Sequence, residues 1–383
     1  MRVDTAARLK GVEEYYFSKK LEQIRQLEAA GKQVINLGIG SPDLPPAPEV
    51  ISALNEASQD PGNHAYQSYR GLPSLRESIA SFYQRHYGVE IDPQGEILPM
   101  MGSKEAITHI SLAFLDPGDQ VLIPALGYPT YTSVTRMVEA EPVYFPLVES
   151  REWSPDWDFL ESLDTSRVKL MWINYPHMPT GEKGSLAIRE RLVSYARERN
   201  ILLCHDNPYS FILNREPASI FEIENAKANC IELNSLSKTF NMAGWRVGWV
   251  VASTEMIQAI LKVKSNMDSG MFKPVQLAAC KALNLDRTWF DELNAVYQDR
   301  LSSVYQLLDH LHCTYKKDTA GMFVWAKVPA GMTGEGLTDQ LLEQHHVFIT
   351  PGFIFGEAGR NYIRVSLCSP LAQFEGALKR IIA

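Results

Sequence analysis

Asn234-Ser235-Leu236-Ser237-Lys238-Thr239-Phe240, followed by Met242-Ala243-Gly244-Trp245-Arg246-Val247-Gly248, is the stretch on which the reading of this chain turns. An amine flanked by two hydroxyls, with a guanidinium within loop reach, has the parts for a Schiff base formed beside a bound phosphate. A lysine taken alone is most often a solvated surface charge. Lys238 instead lies between two apolar segments, Cys230-Ile231-Glu232-Leu233 and Val247-Gly248-Trp249-Val250-Val251, so a surface face is the weaker reading.

Working outward, strand-like runs at 120–123, 142–146, 168–173, 201–204, 230–233 and 247–252 alternate with helix-like segments. One of these, 186–199, carries Leu186, Ile188, Leu192, Val193 and Ala196 on a single face. Near-continuous apolar strands separated by amphipathic helices predict an α/β fold, its large domain built on a mostly parallel sheet covered on both faces. Ligands of such sheets collect at the carboxyl ends of the strands. A long helix over 286–311, striped by Leu293, Val296, Tyr297, Leu301, Val304, Leu308 and Leu311, leads into a smaller α+β domain. That domain has strands at 322–328 and 362–367 and a closing helix bearing Phe374, Leu378 and Ile381. At the other end, Phe17, Leu21, Ile24 and Leu27 mark a helix over 12–30 that Gly31 stops, and 34–43 reads as a short strand entering a glycine- and proline-rich turn. The division expected is an N-terminal segment 1–45 packing with the small domain, a large domain 46–285 that carries the ligand site, and a small domain 286–383.

Composition narrows the function classes. The 383 residues are 45% hydrophobic and 21% charged, which is ordinary for a globular protein of one large and one smaller domain. With 37 basic against 45 acidic residues the net charge is −8, so no nucleic-acid partner is expected. The five cysteines are scattered without a C-x-x-C pair, which argues against a disulfide framework and a zinc site alike; no metal is expected. Nothing resembles a signal peptide or a stretch of about 20 apolar residues, so the expected setting is cytoplasmic, away from membranes.

The run S-x-S-K-x(7)-R resembles the cofactor-lysine segment of the fold-type I, pyridoxal-phosphate-dependent aminotransferases of class I/II. Other segments fall in that family's order. Gly102-Ser103-Lys104 follows an apolar run and opens a helix, whose N-terminal N–H groups suit a phosphate. Asp206 ends an apolar strand, where a carboxylate would keep a pyridine nitrogen protonated; taken alone it also reads as a turn cap. The resemblance makes Tyr209 the donor to the ring's phenolic oxygen and sets Tyr128 flat against the ring. It assigns Ser103, Lys104, Ser235, Ser237 and Arg246 to the cofactor. Tyr66, in Tyr66-Gln67-Ser68-Tyr69-Arg70-Gly71, resembles the family tyrosine that reaches the phosphate of the neighbouring subunit, which implies a homodimer with a composite active site. Arg364, inside the otherwise apolar Tyr362-Ile363-Arg364-Val365, matches the arginine that takes the substrate's α-carboxylate bidentately, supported by Gly40 of Gly40-Ser41-Pro42-Asp43.

One position departs from the family. Where N-P-T-G is usual, this chain reads Asn174-Tyr175-Pro176-His177-Met178-Pro179-Thr180-Gly181, and Met178 cannot donate a hydrogen bond. Tyr209 is then the main partner of the ring oxygen, with His177 a possible substitute donor. Within the family, Leu37 through Pro45 and Gly102-Ser103-Lys104-Glu105 are most similar to the LL-diaminopimelate and N-succinyldiaminopimelate aminotransferases. The resemblance implies ping-pong transamination between an amino acid and a 2-oxo acid, with pyridoxal 5'-phosphate held on Lys238 as an internal aldimine. A carbon–sulfur β-lyase on the same fold and a non-catalytic, cofactor-binding regulatory protein are the alternatives.

Overall fold

The computed structural model describes residues 4–9 and 16–382; residues 12–15 of the expected first helix and the side chain of Phe17 lie outside them. The apolar runs form one seven-stranded sheet from β1 (Ile97–Met100), β2 (Gln120–Pro124), β3 (Glu141–Phe145), β4 (Val168–Ile173), β5 (Leu202–Asp206), β6 (Cys230–Ser235) and β7 (Gly248–Val251). Their order across the sheet is β1-β7-β6-β5-β4-β2-β3. Every pairing is parallel except those of β7, which runs antiparallel to both β1 and β6. The cause is the connection. Residues 236–247 contain only the short helical turn Ala243–Trp245, too little for a crossover helix, so the chain folds straight back.

Buried faces explain the composition of these strands: all six positions of β6 and all four of β7 are buried, as expected for a sheet sandwiched between helices. Two strands run further than their apolar cores, β5 to Asp206 and β6 to Ser235. The backbone ladder carries them on, with Asn207 N donating to Leu233 O at 2.8 Å. Both polar residues therefore end at the carboxyl edge of the sheet.

A second, antiparallel sheet has the order β8 (Thr314–Tyr315), β9 (Phe323–Lys327), β11 (Tyr362–Ser366), β10 (Thr350–Pro351). The helix Arg287–His310, capped by Asp286 through Thr288 N, lays Leu293, Tyr297, Leu301, Val304 and Leu308 into the core beneath this sheet. Leu371–Ile382 packs beside it, burying Phe374 and Ala377. The N-terminal segment joins the same core through Ile35 and Leu37, with Ile35–Asn36 pairing in parallel to Val347–Phe348. Among the described residues, no helix is long and apolar enough to cross a membrane.

Candidate active site

A cavity of about 580 Å³ opens at the carboxyl ends of β4, β5 and β6, between the two sheets. Ten of the residues singled out from sequence line it: Gly40, Ser103, Lys104, Tyr128, Asp206, Tyr209, Ser235, Ser237, Lys238 and Arg246; Arg364 closes the far side. Tyr66 does not line it and stands 90% exposed on the outer surface.

Lys238 sits on the loop that follows β6, and its Nζ donates to Gly40 O at 2.6 Å. Burial pulls the ammonium below the ordinary lysine range; Arg364 and Arg246 push the same way, against the opposing charge of Asp206. Gly40 has to be glycine for packing reasons, because a Cβ there would lie 2.4 Å from the Phe323 ring.

Asp206 shows the opposite imbalance. Its Oδ2 accepts from Tyr131 Oη at 2.8 Å, whereas its buried Oδ1 has no hydrogen-bond partner among the described residues. Burial raises its pKa to about 6, with the Tyr131 bond and the charges of His205 and Lys238 pulling the other way. A buried carboxylate short of one partner is held ready for a cationic donor. Tyr131 is fixed by stacking on Trp172, with ring centroids 5.0 Å apart and planes 4° from parallel.

A corner suited to an anion is built on the turn that opens the helix Ser103–Phe114. Gly102 has φ +90°, and a Cβ there would sit 2.2 Å from Arg246 Nη2, so the glycine lets the guanidinium close over the turn. Arg246 donates to Ala243 O at 3.0 Å and Met101 O at 3.3 Å. Ser103 Oγ is buried without a partner among the described residues. Ser235 Oγ accepts from Ser237 N at 3.0 Å, donates to Val247 O at 3.1 Å and lies 2.9 Å from the Ser237 hydroxyl, which then donates to it; both serines line the cavity. Two hydroxyls, a helix N-terminus and a guanidinium suit a phosphate.

Across the cavity, the Arg364 guanidinium lies between the rings of Phe323 and Phe355, at 3.9 and 4.6 Å, and donates to Gly38 O at 3.0 Å. Its Nη1 is 3.5 Å from Met178 Sδ, so Met178 does reach the site. Burial drives the Tyr209 hydroxyl far above the ordinary tyrosine range, which keeps it a donor. His177 is no substitute for the family asparagine. Its Nε2 donates to Leu126 O at 3.0 Å, which makes Nδ1 the acceptor from Thr180 Oγ1 at 2.8 Å, and burial lowers its pKa to about 4. The ring is neutral, fully bonded and turned into the fold.

Sequence reasoning missed Tyr131, Asn174, Phe323 and Phe355. Asn174 donates to Asp206 O and accepts from Met178 N at 2.8 Å, tying the ends of β4 and β5 together. Its place just after an apolar strand was the available signal, the same that marked Asp206.

Known proteins resemble this chain over nearly its whole length. Residues 32–381 match the family model for aminotransferase class I and II. An LL-diaminopimelate aminotransferase of Dehalococcoides mccartyi is 37% identical, covering 98% of this chain and 97% of its own. The enzyme of the same name from Desulforudis audaxviator is 38% identical over 98% of this chain and 96% of its own. Among solved structures, substrate-bound BacF from Bacillus subtilis superposes with a TM-score of 0.94 at 36% identity, covering all of this chain and 97% of that one. A probable N-succinyldiaminopimelate aminotransferase from Thermus thermophilus gives 0.88 at 31% identity over 95% and 98%. These names favour transamination over the β-lyase alternative, and by its sequence and its fold the chain belongs to the class I and II aminotransferases.

Proposed function

We propose that the cavity binds pyridoxal 5'-phosphate and that the protein exchanges the amino group of an α-amino acid for the oxo group of a 2-oxo acid. The observation that carries this is the buried Asp206 Oδ1 without a partner, in the same cavity as a half-buried lysine of lowered pKa. In this reading Asp206 faces the ring nitrogen and Tyr209 donates to the ring oxygen. Tyr128 lies against the ring, and Ser103, Lys104, Ser235, Ser237 and Arg246 surround the phosphate. Bound there, the cofactor supplies an electron sink for the pair left when the substrate loses its Cα proton. Lys238 takes that proton and returns it, a task for which an amine needs the lowered pKa that burial gives it. Arg364, stiffened between two aromatic rings, fixes the α-carboxylate in a bidentate grip.

The wall beyond Arg364 includes Ile39, Met178 and Phe355, which suits the methylene chain of a donor. The relatives' names supply LL-diaminopimelate as the first donor to test. Tyr66 fits this reading only across subunits. It is exposed, and two residues before it the His64 ring packs 5.6 Å from Phe272, itself 44% exposed; a second copy would cover this apolar surface. The same reading keeps 1–45, 46–285 and 286–383 as the working divisions, supported by separate apolar cores under the two sheets.

The test is spectroscopic and chemical together. Protein loaded with pyridoxal 5'-phosphate is mixed with a panel of L-amino acids including LL-diaminopimelate, and 2-oxoglutarate is then added. The expected result is loss of the visible band with a productive donor and its return with formation of glutamate. A band that no amino acid alters, or one whose loss yields pyruvate and free thiol from cystathionine without glutamate, would overturn it.

A further inference from the structure

Away from the cavity, four ionisable side chains meet: the half-buried Glu105 and buried His109 on the helix Ser103–Phe114, the buried Lys264 at the end of the helix Thr254–Lys264, and the half-buried Asp268 on the loop that follows. The carboxylate oxygens and the imidazole lie within 4.8 Å of one another. Lys264 is 2% exposed, an unusual place for a lysine, and its Nζ is bound to Asp268 Oδ2. That ammonium already supplies the cation that a metal would otherwise bring, so the cluster reads as a completed charge network.

What the cluster touches gives it direction. Glu105 reaches back to the turn before its helix, where Met101 N donates to its Oε2 at 2.5 Å; this is the turn that Gly102 and Ser103 form at the anion corner. At the opposite end, Asp268 Oδ1 accepts from Gly270 N at 2.8 Å. Gly270 has φ +86° and presses on the next segment so closely that a Cβ would meet Gln67 O at 2.4 Å. Gln67 is the neighbour of Tyr66. His109 stands between the two ends, 2% exposed, with its Nε2 3.5 Å from Glu105 Oε1 and neither ring nitrogen in a hydrogen bond among the described residues. Burial and then Lys264 lower its pKa, against Glu105 and Asp268.

We infer that Glu105, His109, Lys264 and Asp268 form a strut of positioning residues, buried at its centre, that sets two phosphate contacts: the subunit's own anion turn through Glu105, and the Tyr66 segment it presents to a second copy through Asp268. The inference rests on the dimeric reading given above. Its consequence is a division of labour that a general loss of stability cannot imitate. Damage at Glu105 weakens the phosphate site of the same chain, whereas damage at Lys264 and Asp268 weakens the phosphate site of the other.

Mixed dimers separate these effects. Two differently tagged chains are co-expressed, one carrying Lys238→Ala so that a single working site remains, and the dimers bearing both tags are isolated. The charge-neutral pair Lys264→Met with Asp268→Asn, chosen because removing either charge alone would leave the other buried, is placed in either chain. With the pair in the disabled chain, affinity of the working site for pyridoxal 5'-phosphate should fall about tenfold, the size of one charged hydrogen bond weakened. With the pair in the working chain it should stay near the unaltered value. Glu105→Gln should show the reverse pattern, and pyridoxal, which has no phosphate, should bind alike in all of them. Equal losses in both arrangements, or losses shared by pyridoxal, would overturn the strut while leaving the dimer intact. A chain that elutes as a monomer with full activity would overturn both.

Discussion

Asp206 and Glu232 are buried carboxylates on adjacent strands of one sheet, and they live by different rules. Glu232 sits in register with His205, the residue before Asp206, so the alternation of a strand sends the two acids to opposite faces. Glu232 is fully exchanged with the protein. Its Oε1 accepts from Tyr83 Oη at 2.7 Å and Ser219 Oγ at 2.9 Å, and its Oε2 accepts from Ile220 N at 2.8 Å and faces His205 Nδ1 at 2.9 Å. Asp206 has one donor on one oxygen and none on the other. The first arrangement is a closed network that holds a helical turn and a helix to the sheet. The second is open, and a fold tolerates an open buried carboxylate where something else completes it.

If the chemistry belongs to the open face, the largest effect comes from Lys238→Ala. That change removes the one amine on the loop after β6, and transamination together with the visible cofactor band should disappear. Retained turnover would place the chemistry elsewhere. Asp206→Asn comes next. The variant should still fold and take up cofactor, because an amide satisfies the Tyr131 bond, but single-turnover rates should drop about 10²–10³-fold as a preorganised charge is lost.

The pH dependence of the cofactor-free protein sharpens the same point. The folded pKa of Asp206, near 6, lies above its ordinary value of 3.8. The native state therefore holds this proton more tightly than the unfolded chain. The resulting stabilisation is full below about 4 and is lost as pH rises through about 6. Thermal unfolding of cofactor-free protein from pH 4 to 7 should show this slope, and Asp206→Asn should flatten it. An unchanged slope in the variant would mean that Asp206 titrates normally.

Arg364→Leu tests the far wall. Every donor shares the α-carboxylate, so KM should rise for all of them by the equivalent of about 1.5–3 kcal/mol. A loss confined to donors with a second carboxylate would move Arg364 to side-chain recognition. Glu232→Gln is the counterpart on the closed face. It replaces one accepting oxygen with an NH₂ donor facing groups that are themselves donors, and stability should fall by about 1–3 kcal/mol, read as a lower Tm. Turnover per folded molecule should hold. A kcat loss comparable with that of Asp206→Asn would erase the distinction between the faces.

The two acids also show where sequence reading works. Asp206 and Arg364 were legible because each is a charge inside or at the end of an apolar strand, and Lys238 because it lies between two such strands. Strand positions, the long helix 287–310 and the two-sheet plan followed from periodicity, which is local. Glu232 carries the same mark as Asp206 and was passed over, because its satisfaction depends on Tyr83 and Ser219, which only the folded chain brings near. Tyr131 was hidden for a related reason. Three residues from Tyr128 on one helix, it turns to Asp206 because its ring stacks on Trp172 from β4, a contact no spacing encodes. The aromatic sandwich around Arg364 joins β9 and the 352–355 turn across intervening chain.

The smallest effect concerns Met178. Its backbone N–H is held by Asn174 and its Sδ lies against Arg364 Nη1, so a shorter polar side chain at this position would face the same guanidinium. In Met178→Asn the amide oxygen can accept from Arg364 while the NH₂ turns toward the ring oxygen of the bound cofactor. That would add a donor beside Tyr209. A hydrogen bond of net about 0.5–1.5 kcal/mol that favours the deprotonated, ring-phenolate state corresponds to a lower pH midpoint of the visible band by about 0.4–1 pH unit. Burying an amide carries its own cost, which the Arg364 contact offsets in part, so Tm should change little. Titration of the cofactor absorbance in both proteins checks it. A folded, cofactor-loaded variant with an unchanged midpoint would mean that residue 178 serves Arg364 alone, and that Tyr209 by itself sets the electronics of the ring oxygen.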